Sequence, residues 1–168
     1  PEEIEEIVVT TNLRSVIGNA SENKYKLQTT SDARFSIPYT VAAAAVRRKV
    51  FIDDFTEESI KDQRVLEVVR RVKVKADPKL DELPGIVAPN TIELTTKDGR
   101  HYSKYLEYAK GHPRDPMNWA ECVDKFQRCA DFSINPLAEK TIAQVINEVH
   151  NLEKVQDVRR IMQLLQGP

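Results

Sequence analysis

The dipeptide Asp98-Gly99 does most to constrain this chain. Before it, Thr91 to Thr96 alternates, placing Ile92 and Leu94 on one side and Glu93 and Thr95 on the other. After it, residues His101 to Tyr108 supply a second extended run. An Asp-Gly pair between two such runs is the strongest short-range signal for a β-hairpin, because glycine accepts the positive φ that tight hairpin turns need. A hairpin alone is marginal in water, so further strands or a helical cover must complete it. The β-branched run Ile7 to Thr11 and the alternating Val72-Lys73-Val74-Lys75, ended by Asp77-Pro78, supply strands. The stretch Asn19 to Thr30 reads as a polar connecting loop, and Asp81 to Gly85 as a turn region.

Helical patterns fill the gaps. Phe35, Tyr39, Ala42, Ala43 and Val46 recur at spacings of three and four, predicting one helix capped by Ser31 or Asp32, with Pro38 in or near its first turn. Arg47, Arg48 and Lys49 complement the negative end of its dipole. Thr56 with Ser59 opens a second helix that buries Ile60, Val65, Leu66, Val68 and Val69. The fold class is therefore α+β, a small antiparallel or mixed sheet with helices on one face. Past Gly111-His112-Pro113-Arg114-Asp115-Pro116 three amphipathic helical patterns follow, around Trp119 to Ala130, Leu137 to Val149 and Val155 to Leu165. The expected division is an α/β domain over residues 1–116 and a helical tail over 117–168.

With 25 basic and 26 acidic side chains the net charge is −1. No basic excess draws a polyanion, and nucleic acid is not expected as a partner. No apolar run reaches membrane length, so no membrane role is expected either. Cys122 and Cys129 are seven residues apart in a predicted helix, about two turns, too far for a disulfide between them; they read as buried free thiols of a cytoplasmic protein. No zinc spacing, phosphate-binding loop or glycine-rich dinucleotide fingerprint occurs. His101, His112 and His150 are isolated and read as solvated surface imidazoles.

Five blocks then carry more than the motif search. They are Asp32-Ala33-Arg34-Phe35-Ser36-Ile37-Pro38-Tyr39, Asp53-Asp54-Phe55, Asp98-Gly99-Arg100, Lys110-Gly111-His112-Pro113 and Asp124-Lys125-Phe126. In this order and spacing they resemble the MmgE/PrpD family, which includes 2-methylcitrate dehydratase, cis-aconitate decarboxylase and an iminodisuccinate epimerase. The resemblance implies a C-terminal lid portion of a metal-independent lyase or isomerase that acts on a small polycarboxylate and needs no organic cofactor. It places an N-terminal helical domain, or subunit, opposite this chain. A histidine outside the chain would move the proton, so the chain is expected to be inactive alone. The tail helices, lacking that platform, are expected to favour a homo-oligomer. Tyr39 matches the family's tyrosine and is implied as the catalytic hydrogen-bond donor. Arg34 and Ser36 are implied as substrate-binding groups beside a helix N-terminus. The rival reading is a non-enzymatic binding or assembly module that keeps the lid fold. One departure stands out: Arg48 occupies a position where the family carries glycine, so either the helix runs on or the loop differs.

Overall fold

The computed structural model describes residues 1–83 and 89–166. The chain divides into two compact units, Pro1–Asp115 and Pro116–Pro168. In the first, β1 (Ile4–Thr11) is followed by the short helix α1 (Leu13–Asn19), a 3₁₀ turn at Glu22–Tyr25, and helices α2 (Thr30–Arg34) and α3 (Ile37–Arg47). Two more 3₁₀ turns, Ile52–Phe55 and Ser59–Lys61, lead to α4 (Gln63–Val69), β2 (Val72–Ala76) and the single-turn helix α5 (Pro78–Asp81). The hairpin β3 (Asn90–Thr96) and β4 (His101–Leu106) closes the unit. The part of the Asp81–Gly85 turn at 84 and 85 lies outside the described residues.

The sheet is mixed, in the order β2-β1-β3-β4, with β1 parallel to β2 and antiparallel to β3. Register aligns the apolar residues: Ile7 stands opposite Val72 on one side and Leu94 on the other, and Val9 opposite Val74 and Ile92. Because side chains alternate along a strand, these residues form one apolar face. Ala33, Tyr39, Ala42 and Ala43 from α2 and α3, with Val65, Val68 and Val69 from α4, cover it. The small alanine face brings α3 close to α4 and β2.

Three expectations are corrected by this geometry. The predicted helix around Phe35 is two helices. Thr29, not Ser31 or Asp32, caps α2, through a capping box with Asp32, while Ser36 caps α3. Pro38 is the reason: it lies in the first turn of α3, where its missing N–H costs nothing, so the chain restarts there. The second helix is also divided, into the 3₁₀ turn at Ser59–Lys61 and α4, which Asp62 caps. The polar loop expected over Asn19 to Thr30 contains a 3₁₀ turn, and the helix α1, capped by Asn12, leads into it.

The Asp98-Gly99 signal yields a three-residue hairpin loop with Gly99 at φ 84°. Thr96 N–H donates to the Arg100 carbonyl and Gly99 N–H to the Thr96 carbonyl. Helix α3 stops at Arg47, and Arg48 takes the left-handed cap at φ 62°, its N–H donating to the Ala44 carbonyl. An L-residue there costs on the order of 1 kcal/mol relative to glycine, partly offset by the greater entropy glycine loses on folding. Arg48→Gly is therefore expected to stabilise the chain by about 0.5–1 kcal/mol. A denaturant midpoint that failed to rise would show that the exposed Arg48 side chain compensates the strain.

The second unit holds α6 (Trp119–Ala130), α7 (Glu139–His150) and α8 (Arg159–Leu165). Their apolar faces line a cavity of about 270 Å³ between Trp119, Phe126, Val145, Ile146, Ile161 and Leu165. The thiols differ from the expectation: both are free, but Cys122 is exposed and Cys129 half-buried. No helix among the described residues is long and apolar enough to cross a membrane.

Candidate functional site

The site chemistry expected of this chain gathers at the junction of α2 and α3. Ser36 is buried there, and both capacities of its hydroxyl are used. It donates to the Lys24 carbonyl at 2.7 Å and accepts from Tyr39 N–H at 3.1 Å, as the N-cap of α3. Pro38 removes a further first-turn donor, so little of the helix N-terminus remains for an anion. Ser36 thus fixes the junction, and contact with a ligand would require it to give up a structural bond.

Tyr39 is fully buried. Its phenol donates to the Asp54 carbonyl at 2.5 Å, with the Ser59 carbonyl 3.2 Å away. Burial raises the phenol above its ordinary pKa, with the Arg47 guanidinium opposing. It therefore stays protonated at neutral pH and acts as a donor. In this structure the hydroxyl points into the unit, and a ligand that took its hydrogen bond would have to displace a main-chain acceptor. The ring lies 6.0 Å from that of Phe55, in the same core.

Around that phenol stands a network that residue patterns did not reveal. Arg47 bonds Asp54 Oδ1 at 2.6 Å, Asp62 Oδ2 at 3.1 Å and the Ser59 carbonyl at 3.1 Å. Asp54 is 1% exposed, and its Oδ2 accepts from Phe51 N–H at 2.6 Å. For Arg47, burial lowers the pKa, but the bonds to Asp54 and Asp62 outweigh it and leave the value raised. For Asp62, burial raises the pKa, and the hydrogen bond from Arg47 leads the effects that leave it lowered. The sequence reading assigned Arg47 to the helix dipole, which its place in the last turn also allows. Its partners lie seven and fifteen residues away across two turns, so no local spacing could have announced them.

Arg34 is the group that remains available. It ends α2, is exposed, and its side chain makes no hydrogen bond or ion pair among the described residues. Phe35 beside it is 59% exposed. Of the three expected site residues, then, the structure buries the two hydroxyls and presents the guanidinium. His101 lies between Thr95 Oγ1 and the Glu93 carboxylate on the sheet, and His112 stacks on Tyr108 with ring centres 4.5 Å apart. His150 packs against Trp119 in the second unit, at 4.9 Å. Among the described residues no three His, Cys, Asp or Glu side chains are grouped to hold a metal ion.

A mixed four-stranded sheet with its helical crossover, followed by amphipathic helices, defines an α+β domain with a helical tail. The chain belongs to the MmgE/PrpD family: the family's C-terminal domain matches residues 1–151. Among curated proteins it is similar to the cis-aconitate decarboxylases of Mus musculus and Homo sapiens, at 26% and 28% identity over 138 residues. These matches cover 82% of this chain but 27% and 28% of the relatives. The chain thus spans just over a quarter of the proteins it resembles.

Proposed function

We propose that this chain is the C-terminal part of a metal-independent lyase acting on a small polycarboxylate, and that Arg34 supplies one carboxylate contact. The observation that carries the reading is the unpaired guanidinium of Arg34 on a junction held rigid by Ser36. A planar guanidinium binds a carboxylate through two parallel hydrogen bonds, and a fixed base lowers the entropy lost in doing so. The family relationship and the names of the two decarboxylases support the substrate class. Loss of carbon dioxide or water from such a substrate needs a proton moved α to a carboxylate. In this reading the base comes from the remainder of the protein, and the isolated chain has no turnover. Tyr39 serves as a positioning residue that holds α3, and through it the junction bearing Arg34.

The second reading, a binding or assembly module, draws on one observation: two of the three expected site side chains are spent on the fold. Kinetics on the full-length protein carrying this chain separate the two. Arg34→Met is expected to raise KM for a polycarboxylate roughly tenfold with kcat little changed, as removal of a uniform binding contact should. Arg34→Lys should recover part of the loss, since it restores the charge without the fork. Kinetics indifferent to both substitutions would remove Arg34 from the site. Absence of turnover in the full-length wild type on 2-methylcitrate, cis-aconitate and related acids would favour the module.

A further inference from the structure

We propose that the turn over residues 108–115 supplies a second carboxylate contact, with the His112 Nε2–H as donor and Arg114 as the companion charge. The proposal rests on the reading of this chain as part of a polycarboxylate lyase. It gives a role to the block Lys110-Gly111-His112-Pro113, which that reading leaves unused.

The turn is held at every residue. His112 N–H donates to the Ala109 carbonyl at 3.0 Å, and Asp115 N–H to the His112 carbonyl at 2.8 Å. Pro113 takes the second position of the latter turn, where its fixed φ is favoured and its missing N–H costs nothing. Gly111 has φ 93°, a conformation that favours glycine, and its N–H reaches the Asp115 carbonyl at 2.8 Å. Lys110 Nζ stands 3.5 Å from Asp115 Oδ1 and braces the same loop.

These bonds orient the His112 ring, which the residue pattern alone presented as a solvated imidazole. Its Nδ1 accepts from Arg114 N–H at 3.1 Å, which places the proton of the neutral ring on Nε2. The ring is stacked on Tyr108 with planes 17° apart, and Nε2 has no partner among the described residues. Arg114 is held against the same tyrosine. Its Nη1 donates to the Tyr108 hydroxyl at 3.2 Å, and its Cζ lies 5.6 Å from the ring centre. No carboxylate pairs with Arg114 among the described residues. The neighbouring acids are already engaged: Glu107 by the Tyr108 phenol, whose pKa that bond raises, and Asp115 by Lys110. What the turn presents is therefore an oriented N–H and an uncompensated guanidinium on either side of one ring system. Both suit a carboxylate oxygen, since a hydrogen bond to an ionised acceptor is the stronger kind. Because both groups rest on Tyr108, neighbouring carboxylates of one small acid can reach them together.

The test uses the full-length protein carrying this chain, with tricarballylate, a saturated tricarboxylate, as the probe in isothermal titration. His112→Asn keeps an oxygen near the Nδ1 position for Arg114 N–H and deletes the Nε2 donor. It is expected to weaken probe binding about five- to tenfold, the loss of one hydrogen bond to a charged group, with the melt unchanged. His112→Gln carries an amide N–H towards the Nε2 position and should bind the probe more tightly than His112→Asn. Arg114→Gln should weaken binding by a similar factor and make it less sensitive to ionic strength. With a substrate that turns over, the same losses should appear in KM rather than kcat. Wild-type affinity in His112→Asn, while Arg34→Met weakens the probe, overturns this proposal and leaves the polycarboxylate reading standing. Equal weakening by His112→Asn and His112→Gln, with lowered melts, assigns His112 to the fold and also overturns it. A probe that does not bind the wild type removes both.

Discussion

Arg47→Met is expected to lower the stability of the first unit by about 3 kcal/mol or more, within the range for breaking a buried ion pair by removing one partner. The substitution leaves the Asp54 carboxylate, 1% exposed, with the Phe51 N–H as its remaining donor among the described residues. It also strips a donor from the Ser59 carbonyl and from Asp62. The methionine stem preserves most of the packing of the arginine stem, so the loss reports the charge rather than a cavity. Adding Asp54→Asn should recover a good part of it, because the amide needs no counter-charge. A double-mutant cycle would then show coupling well above the few tenths of a kcal/mol expected between independent sites. If Arg47→Met unfolded at the wild-type denaturant midpoint, the network would be an incidental contact.

Tyr39→Phe carries the next largest effect. It keeps the ring against Phe55 and removes the donor from the Asp54 carbonyl. A buried acceptor left without its partner costs roughly 1–3 kcal/mol, and about 2 kcal/mol is expected here. In the full-length protein, turnover should change little beyond the loss of folded material. A different outcome would reassign the residue: a hundredfold fall in kcat at unchanged stability is the signature of a donor acting only in the transition state. The melt and the kinetics therefore have to be measured on the same preparation.

The helix breaks and the surroundings of Tyr39 were hidden in the sequence for the same reason. The period of Tyr39, Ala42 and Ala43 identified the buried side of α3, but it wrongly included Phe35, which lies before the helix and is exposed, and it could not show that Ser36 ends one segment and caps another. That depends on the Ser36 hydroxyl finding the Lys24 carbonyl, a contact made only once the preceding turn has folded back. The resemblance implies a catalytic role for Tyr39, and in this structure its hydroxyl is held by main-chain carbonyls. A tyrosine on a helical apolar face signals both a core residue and a site residue, and only the acceptor its hydroxyl meets decides between them.

What the sequence determined alone was the alternation and the punctuation. Ile92 and Leu94 against Glu93 and Thr95, Asp98-Gly99 between two strands, and the β-branched run after Ile4 sufficed for a sheet with helical cover, because backbone sterics and side-chain period are local. The tertiary structure decided what those local terms leave equal. It placed β1 parallel to β2 and antiparallel to β3, drew Arg47 onto Asp54 and Asp62, and left Arg34 and β4 open to solvent. Each depends on charges or strands distant in sequence becoming neighbours, and an exposed or buried fate for a given side chain is set by that assembly.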